Sequence, residues 1–219
     1  MTCRIFLIRH GETLWNKEMR FQGHMDIPLS ERGLEQAEAL AKRLSDQKIT
    51  AVYSSDLSRA LETARPIAKP RNLEIITDPS LREINFGRWE GLTFSEISQQ
   101  YGEQIKRWWA APLEMSTPEG EGLTDLIHRL IPFFREIVEK HSGEQVAVVC
   151  HGGPARCLVG TILQMDLNKY WKIRQDNAAL NILDFTEWEN GIVALLNDRS
   201  HLPEGDEIPH WTQRYSGTK

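Results

Sequence analysis

Two apolar runs, each closed by a histidine and a glycine, constrain this chain more than any other feature. The first is Cys3-Arg4-Ile5-Phe6-Leu7-Ile8, ended by Arg9-His10-Gly11. The second is Gln145 to Cys150, ended by His151-Gly152-Gly153-Pro154. Continuous runs of this length read as strands covered on both faces, the environment of a parallel sheet. Ligands of open α/β sheets bind beyond the carboxyl ends of strands, where both histidines fall.

The segments between these runs fit the same plan. Ser30 is a good N-cap for a helix carrying Leu34, Ala37, Leu40, Ala41 and Leu44 at helical spacing. Ala51-Val52-Tyr53 reads as a strand, and Ser54-Ser55-Asp56 offers caps for a helix bearing Leu57, Ala60, Leu61 and Ala64. Pro66 and Pro70 should kink or end that helix early. Leu73 to Thr77 reads as a third strand, so the order β-α-β-α-β predicts a parallel α/β sheet with right-handed crossovers. Residues of about 85–121, with Trp89, Trp108 and Trp109, break the rhythm and read as a cap-like insertion. A helix from near Thr124 should bend at Pro132. Leu180 to Phe185 and Ile192 to Asn197 read as strands joined near Glu189-Asn190-Gly191. Without a linker or composition break, residues 1–219 are expected to form one domain, with a loose polar tail after Pro203.

Lys and Arg number 26 against 31 Asp and Glu, a net charge of −5. That balance speaks against nucleic acid and anionic membranes as partners, since both call for a basic face. No apolar stretch approaches the roughly 20 residues of a membrane span. Cys3, Cys150 and Cys157 make neither a disulfide framework nor a zinc pattern. The expectation is a cytoplasmic protein, monomer or homodimer, without metal or cofactor.

The net charge does not describe a local pocket. Arg9 adjoins His10, Arg59 near the start of the second helix can reach the same sheet edge, and His151 stands just before a helix N-terminus. Glycines after both histidines let backbone amides approach an anion. The other histidines, His24, His128, His141, His201 and His210, read as surface or structural. The Trp108-Trp109 pair reads as core, and Cys150 as a small buried hydrophobe.

Several blocks then fall in one order. They are Arg9-His10-Gly11-Glu12-Thr13 with Trp15-Asn16, Gln22-Gly23, Asp26-Ile27-Pro28-Leu29-Ser30, and Ser54-Ser55-Asp56-Leu57-Ser58-Arg59-Ala60. Leu81-Arg82-Glu83-Ile84-Asn85-Phe86-Gly87 with Trp89-Glu90-Gly91 follows, and His151-Gly152 closes the series. This series resembles the histidine phosphatase superfamily, the phosphoglycerate-mutase-like proteins. The resemblance implies a three-layer α/β/α fold, with a mostly parallel central sheet and helices on both faces. It implies His10 as a nucleophile that accepts a phosphoryl group, with Arg9, Arg59 and His151 around the phosphate. Glu83 is the implied proton donor, and must start protonated. Asn16, Gln22, Gly23 and Gly152 are implied in binding substrate. His10 has to be neutral at its attacking nitrogen, with the other nitrogen held by an acceptor such as a backbone carbonyl. A protonated His151 would add a third positive donor.

The implied substrate is a small phosphate ester. A short insertion favours hydrolysis over mutase chemistry. Arg174-Gln175-Asp176-Asn177-Ala178-Ala179-Leu180-Asn181-Ile182 and the segment from Leu195 to Leu202 resemble alpha-ribazole phosphatases of the cobalamin pathway. Alpha-ribazole 5′-phosphate is therefore the expected substrate, ahead of phosphoserine or a broad range of small phosphates, and further ahead of phosphoglycerate mutation or non-catalytic phospho-ligand binding. One departure is Gly120-Glu121-Gly122, where the family often has a serine at the last position; glycine should weaken the cap of the long helix.

Overall fold

The computed structural model describes residues 1–203; the tail after Pro203 and His210 lie outside the described residues. The strands are β1 (Cys3–Arg9), β2 (Ile49–Ser54), β3 (Ile75–Thr77), β4 (Gln145–Cys150), β5 (Leu180–Phe185) and β6 (Gly191–Asp198). They form a six-stranded sheet in the order β3-β2-β4-β1-β5-β6. β3, β2, β4 and β1 run parallel, whereas β5 and β6 are added antiparallel. The helices are α1 (Leu14–Lys17), α2 (Glu31–Arg43), α3 (Ser58–Ala68), α4 (Phe94–Ala110), α5 (Leu123–Lys140) and α6 (Gly152–Ile162).

The central strands are buried on both faces because each face has its own helical cover. Ile5 and Leu7 of β1, with Val146 and Val148 of β4, pack with α4, α5 and α6 through Trp108, Leu126, Leu130, Phe134 and Leu158. Phe6 and Ile8, with Ala147 and Val149, pack on the other side against Leu40 of α2 and Ala60, Ala64 and Ile67 of α3. The period of two along a strand sends alternate residues to opposite layers, and an unbroken apolar run satisfies both. This is the expected three-layer α/β/α arrangement.

Local chemistry explains the boundaries. Ser30 caps α2 by accepting the Gly33 N–H at 3.1 Å. α3 continues through Pro66 to Ala68 and passes without a break in helical backbone into a 3₁₀ turn, Lys69–Arg71, that holds Pro70. Its cap differs from the expected one. The N-cap is Leu57, which has no capping side chain, and the Ser58 N–H is instead received at 2.8 Å by Asp26 from a distant loop. The third strand is shorter than expected, without Leu73 and Glu74. In the insertion, α4 loses helical geometry at Tyr101 (φ −130°) and buries Trp108 completely. α5 continues through Pro132; its N-cap Gly122 offers no capping side chain, as the glycine implied, while the Asp125 carboxylate accepts the Gly122 N–H at 2.8 Å.

One close approach ties this scaffold to the histidine loop. A Cβ on Gly11 would lie 2.6 Å from the carbonyl oxygen of Gly33, and one on Gly33 would overlap the carbonyl oxygen of Glu12. The Ser30 N–H donates to that same Glu12 oxygen at 2.8 Å. Gly33→Ala should therefore push the loop after His10 away from α2. Overpacking of this kind costs about 1–3 kcal/mol, a drop of roughly 3–10 °C in Tm for a chain of this length. An unchanged melting curve would show that the contact carries no such constraint.

Candidate active site

Parallel pairing of β1 with β4 sets Arg9 opposite Cys150, so the next residues, His10 and His151, leave the sheet side by side. The His10 N–H donates to the Cys150 carbonyl at 3.0 Å, extending the ladder by one bond. The two imidazoles meet edge to face with centroids 5.0 Å apart. Both are buried.

His10 Nδ1 lies 2.7 Å from the Gly11 carbonyl oxygen. A carbonyl only accepts, so Nδ1 carries the hydrogen and Nε2 is left with its lone pair. Burial, aided by Arg59 and Arg9, holds the His10 pKa well below the usual histidine value. This neutral, oriented ring is what the sequence expectation required.

The sequence left the charge of His151 open. Burial first, then Arg59, His10, Arg9 and Arg129, push its pKa well below the ordinary value. It is a neutral ring here, so the positive charge of the site rests on the arginines. Neither of its ring nitrogens has a hydrogen-bond partner among the described residues.

Arg59 is fully buried near the start of α3, which follows β2 on the same sheet edge. Its Nη1 donates to the Met25 carbonyl and its Nη2 to the Gly23 carbonyl, both at 2.8 Å, while Nε is buried without a partner. Burial lowers its pKa to about 10, partly offset by Glu83, Asp26 and Glu90, so it stays charged at neutral pH. Arg9 Nη1 donates to the Gln175 carbonyl at 2.7 Å. Thr63 Oγ1 accepts the Gly11 N–H at 3.0 Å and donates to the Arg59 carbonyl at 2.7 Å, joining α3 to the histidine loop.

Glu83 approaches from the other side. Its carboxylate accepts the Gly153 N–H at 3.0 and 3.1 Å, at the N-terminus of α6, and the Ile84 N–H at 2.9 Å. The remaining expected residues gather here as well. Gln22 is buried with Oε1 unpartnered. Gly23 needs its left-handed φ of +54° to turn its carbonyl toward Arg59. A Cβ on Gly152 would meet Arg156 Nη1 at 2.9 Å and Arg9 Nε at 3.5 Å. Asn16 Oδ1 is occupied by Thr13 and by Asn177 Nδ2 at 3.0 Å.

Three further residues support the site and were not assigned to it from sequence. Asn177 Nδ2 also reaches the carbonyls of His10 and Gly11, both at 3.2 Å. His24, read as surface or structural, places Nε2 2.9 Å from the Glu83 carbonyl oxygen. Arg129 binds the same carbonyl at 2.8 Å. Only Asn177 had a signal, because it lies in the late segment already singled out. His141 and His201 are structural, bonded to Tyr53 and Glu144 and to the Ala178 carbonyl, and His128 is exposed. Among the described residues, no three His, Cys, Asp or Glu side chains gather as a metal site, and no helix is long and apolar enough to cross a membrane.

The profile of the histidine phosphatase superfamily (branch 1) matches residues 5–198, and the chain belongs to that superfamily. It is 36% identical over 201 residues to phosphoserine phosphatase 1 of Hydrogenobacter thermophilus, covering 92% of this chain and 95% of that protein. It is 39% identical over 205 residues to phosphoglycerate mutase-like protein 4 of Arabidopsis thaliana, covering 92% and 88%. Among solved structures, YhfR of Bacillus stearothermophilus matches with a TM-score of 0.86 and 35% identity, covering 92% of this chain and all of that one. The alpha-ribazole phosphatase of Shigella flexneri matches with a TM-score of 0.81 and 30% identity, covering 90% and 96%.

The two neutral histidines set a pH dependence. Their folded-state pKa values lie below the unfolded value near 6.5, so beneath that pH the unfolded chain binds more protons than the folded one. Stability should then fall as the pH drops from about 6.5 toward 5. Melting curves at pH 7.5 and 5.5 should show a lower Tm at the acid value, with a smaller difference in a His10→Gln/His151→Gln double variant. A Tm equal at both values in the unsubstituted protein would contradict neutral rings.

Proposed function

We propose that this superfamily enzyme is a phosphomonoesterase that works through a phosphohistidine on His10, without a metal ion. The observation that carries the reading is the oriented, neutral His10 beside His151 and two arginines at one sheet edge. A phosphate monoester is a dianion near neutral pH, and its transfer depends on positioning and charge stabilisation. Arg9 and Arg59 supply fixed cations for the non-bridging oxygens. His151 supplies a ring N–H, and an arriving dianion favours its protonation.

In the first step His10 Nε2 forms a bond to phosphorus while the bond to the ester oxygen breaks. Glu83 delivers a proton to that oxygen, which leaves as an alcohol. In the second step a water molecule attacks the phosphohistidine, Glu83 takes its proton, and the phosphorus–nitrogen bond breaks to release inorganic phosphate. The assigned partner is thus a small phosphate ester, with Asn16, Gln22, Gly23 and Gly152 lining its path.

For the substrate we assign alpha-ribazole 5′-phosphate. The likeness to the Shigella flexneri enzyme supports it, as does the place of Asn177, whose late segment carried the sequence resemblance and which bonds the histidine loop. Phosphoserine is the second reading, favoured by 36% identity to the Hydrogenobacter thermophilus enzyme. Comparing kcat/KM on alpha-ribazole phosphate, phosphoserine, 3-phosphoglycerate and nucleotide monophosphates decides between them. A preference for phosphoserine overturns the first assignment.

Activity should survive a chelator and fall to background in His10→Ala; loss with chelator, or activity in the variant, would refute the mechanism. Glu83→Gln should reduce kcat/KM on alkyl phosphates by about 10²–10⁴-fold. Aryl phosphates, whose leaving groups need less protonation, should lose much less. Equal losses would remove Glu83 from the role of acid.

A further inference from the structure

Glu83 lies outside any helix or strand, in a run without regular backbone structure from Glu83 to Phe86. No ladder of backbone hydrogen bonds orients it, yet a proton donor must be held to within a fraction of an ångström. Arg129, on α5, meets this need from behind. Its Nη1 donates to the Ser80 and Arg82 carbonyls, both at 2.7 Å, and its Nη2 to the Glu83 carbonyl at 2.8 Å. Nη2 and Nε also reach the Glu121 carboxylate, at 3.0 and 3.3 Å. That carboxylate in turn accepts the Asn85 N–H at 2.9 Å.

A guanidinium has five N–H donors, and these contacts use all five. Arg129 therefore has nothing left to offer a substrate: three donors go to the carbonyls of Ser80, Arg82 and Glu83 itself, and two to the Glu121 carboxylate, which in turn holds the Asn85 N–H. Lysine, with three donors in a compact cluster, cannot span this set. The Glu121 carboxylate fixes the guanidinium plane, and the backbone bonds transmit that orientation to the Glu83 carboxyl.

We infer that Arg129, oriented by Glu121, is a positioning residue for proton delivery, holding the Glu83 segment so that its carboxyl stands over the N-terminus of α6. This inference rests on the reading of Glu83 as the acid. A residue that only stabilises the fold would, when replaced, slow all substrates alike. A residue that positions the acid selectively slows esters whose leaving group needs a proton.

The test is kcat/KM, which reports phosphoryl transfer to His10, on p-nitrophenyl phosphate and on the best alkyl ester of the substrate panel. Arg129→Met, Arg129→Lys and Glu83→Gln are measured beside the unsubstituted enzyme. Arg129→Met should lower the alkyl-to-aryl ratio by at least about 10-fold, a part of the 10²–10⁴-fold worth of general acid catalysis. Arg129→Lys should lower it by about 3-fold or more. If the methionine variant fails to fold, the lysine variant alone decides. A ratio unchanged in a folded Arg129 variant, while Glu83→Gln lowers it, overturns the role of Arg129 and leaves the acid in place. A ratio unchanged in Glu83→Gln overturns the acid itself, and this inference with it.

Discussion

The pairing of β1 with β4 is the constraint on which the site depends. Their parallel register puts Arg9 against Cys150, and everything that follows is measured from that pair. A slip of β1 by one residue would invert its faces relative to β4, moving Ile5 and Leu7 into the wrong layer. It would also separate His10 from His151. The apolar packing that fixes the register thus fixes the distance between two imidazoles, and the energy of the core serves directly as geometric precision at the sheet edge.

The electrostatics are arranged around that edge. A chain with a net charge of −5 keeps two cations, Arg9 and Arg59, beside His10, the proposed nucleophile, whose pKa is held down by burial first and then by their charge. The Nη1 and Nη2 groups of Arg59 donate to main-chain carbonyls, which orient a guanidinium without neutralising it. The surface places its pairs differently, as between Arg4 and Asp184 or Arg82 and Asp56, where carboxylate and guanidinium cancel. Carbonyl anchoring keeps the field available to an incoming anion, and burial keeps it strong.

Much of this was legible in the residues, and what was not has a common cause. The two-sided burial of the central strands follows from uninterrupted apolar runs, and the strand-end histidines follow from the same pattern. The resemblance then named Glu83, which no local periodicity marks. The charge state of His151 stayed open in the sequence because it depends on burial and on four cationic or titratable neighbours, Arg59, His10, Arg9 and Arg129, that come together only in the fold. The cap of α3 was missed for a similar reason, since Asp26 reaches Ser58 across 32 residues. Arg129, on an amphipathic helix, and His24, in a loop, left no trace because such side chains look solvated until the partners of their hydrogen atoms are known. Local rules find the elements, whereas contacts between a side chain and a distant main chain escape them.

Arg59 holds the carbonyls of Gly23 and Met25, while Asp26 of the same loop closes the end of α3 that carries Arg59. Loop and helix therefore grip each other at two points, one cationic and one anionic. Whatever pulls on the guanidinium is felt along the loop that bears Gln22, and whatever disturbs the loop is felt by the cation. The part of the pocket that senses charge and the part that shapes its wall are in this way one mechanical unit. On the proposed reading, variation in that loop should carry through to how firmly an anion is held, so that contacts to the leaving group and grip on the phosphate would not be independent.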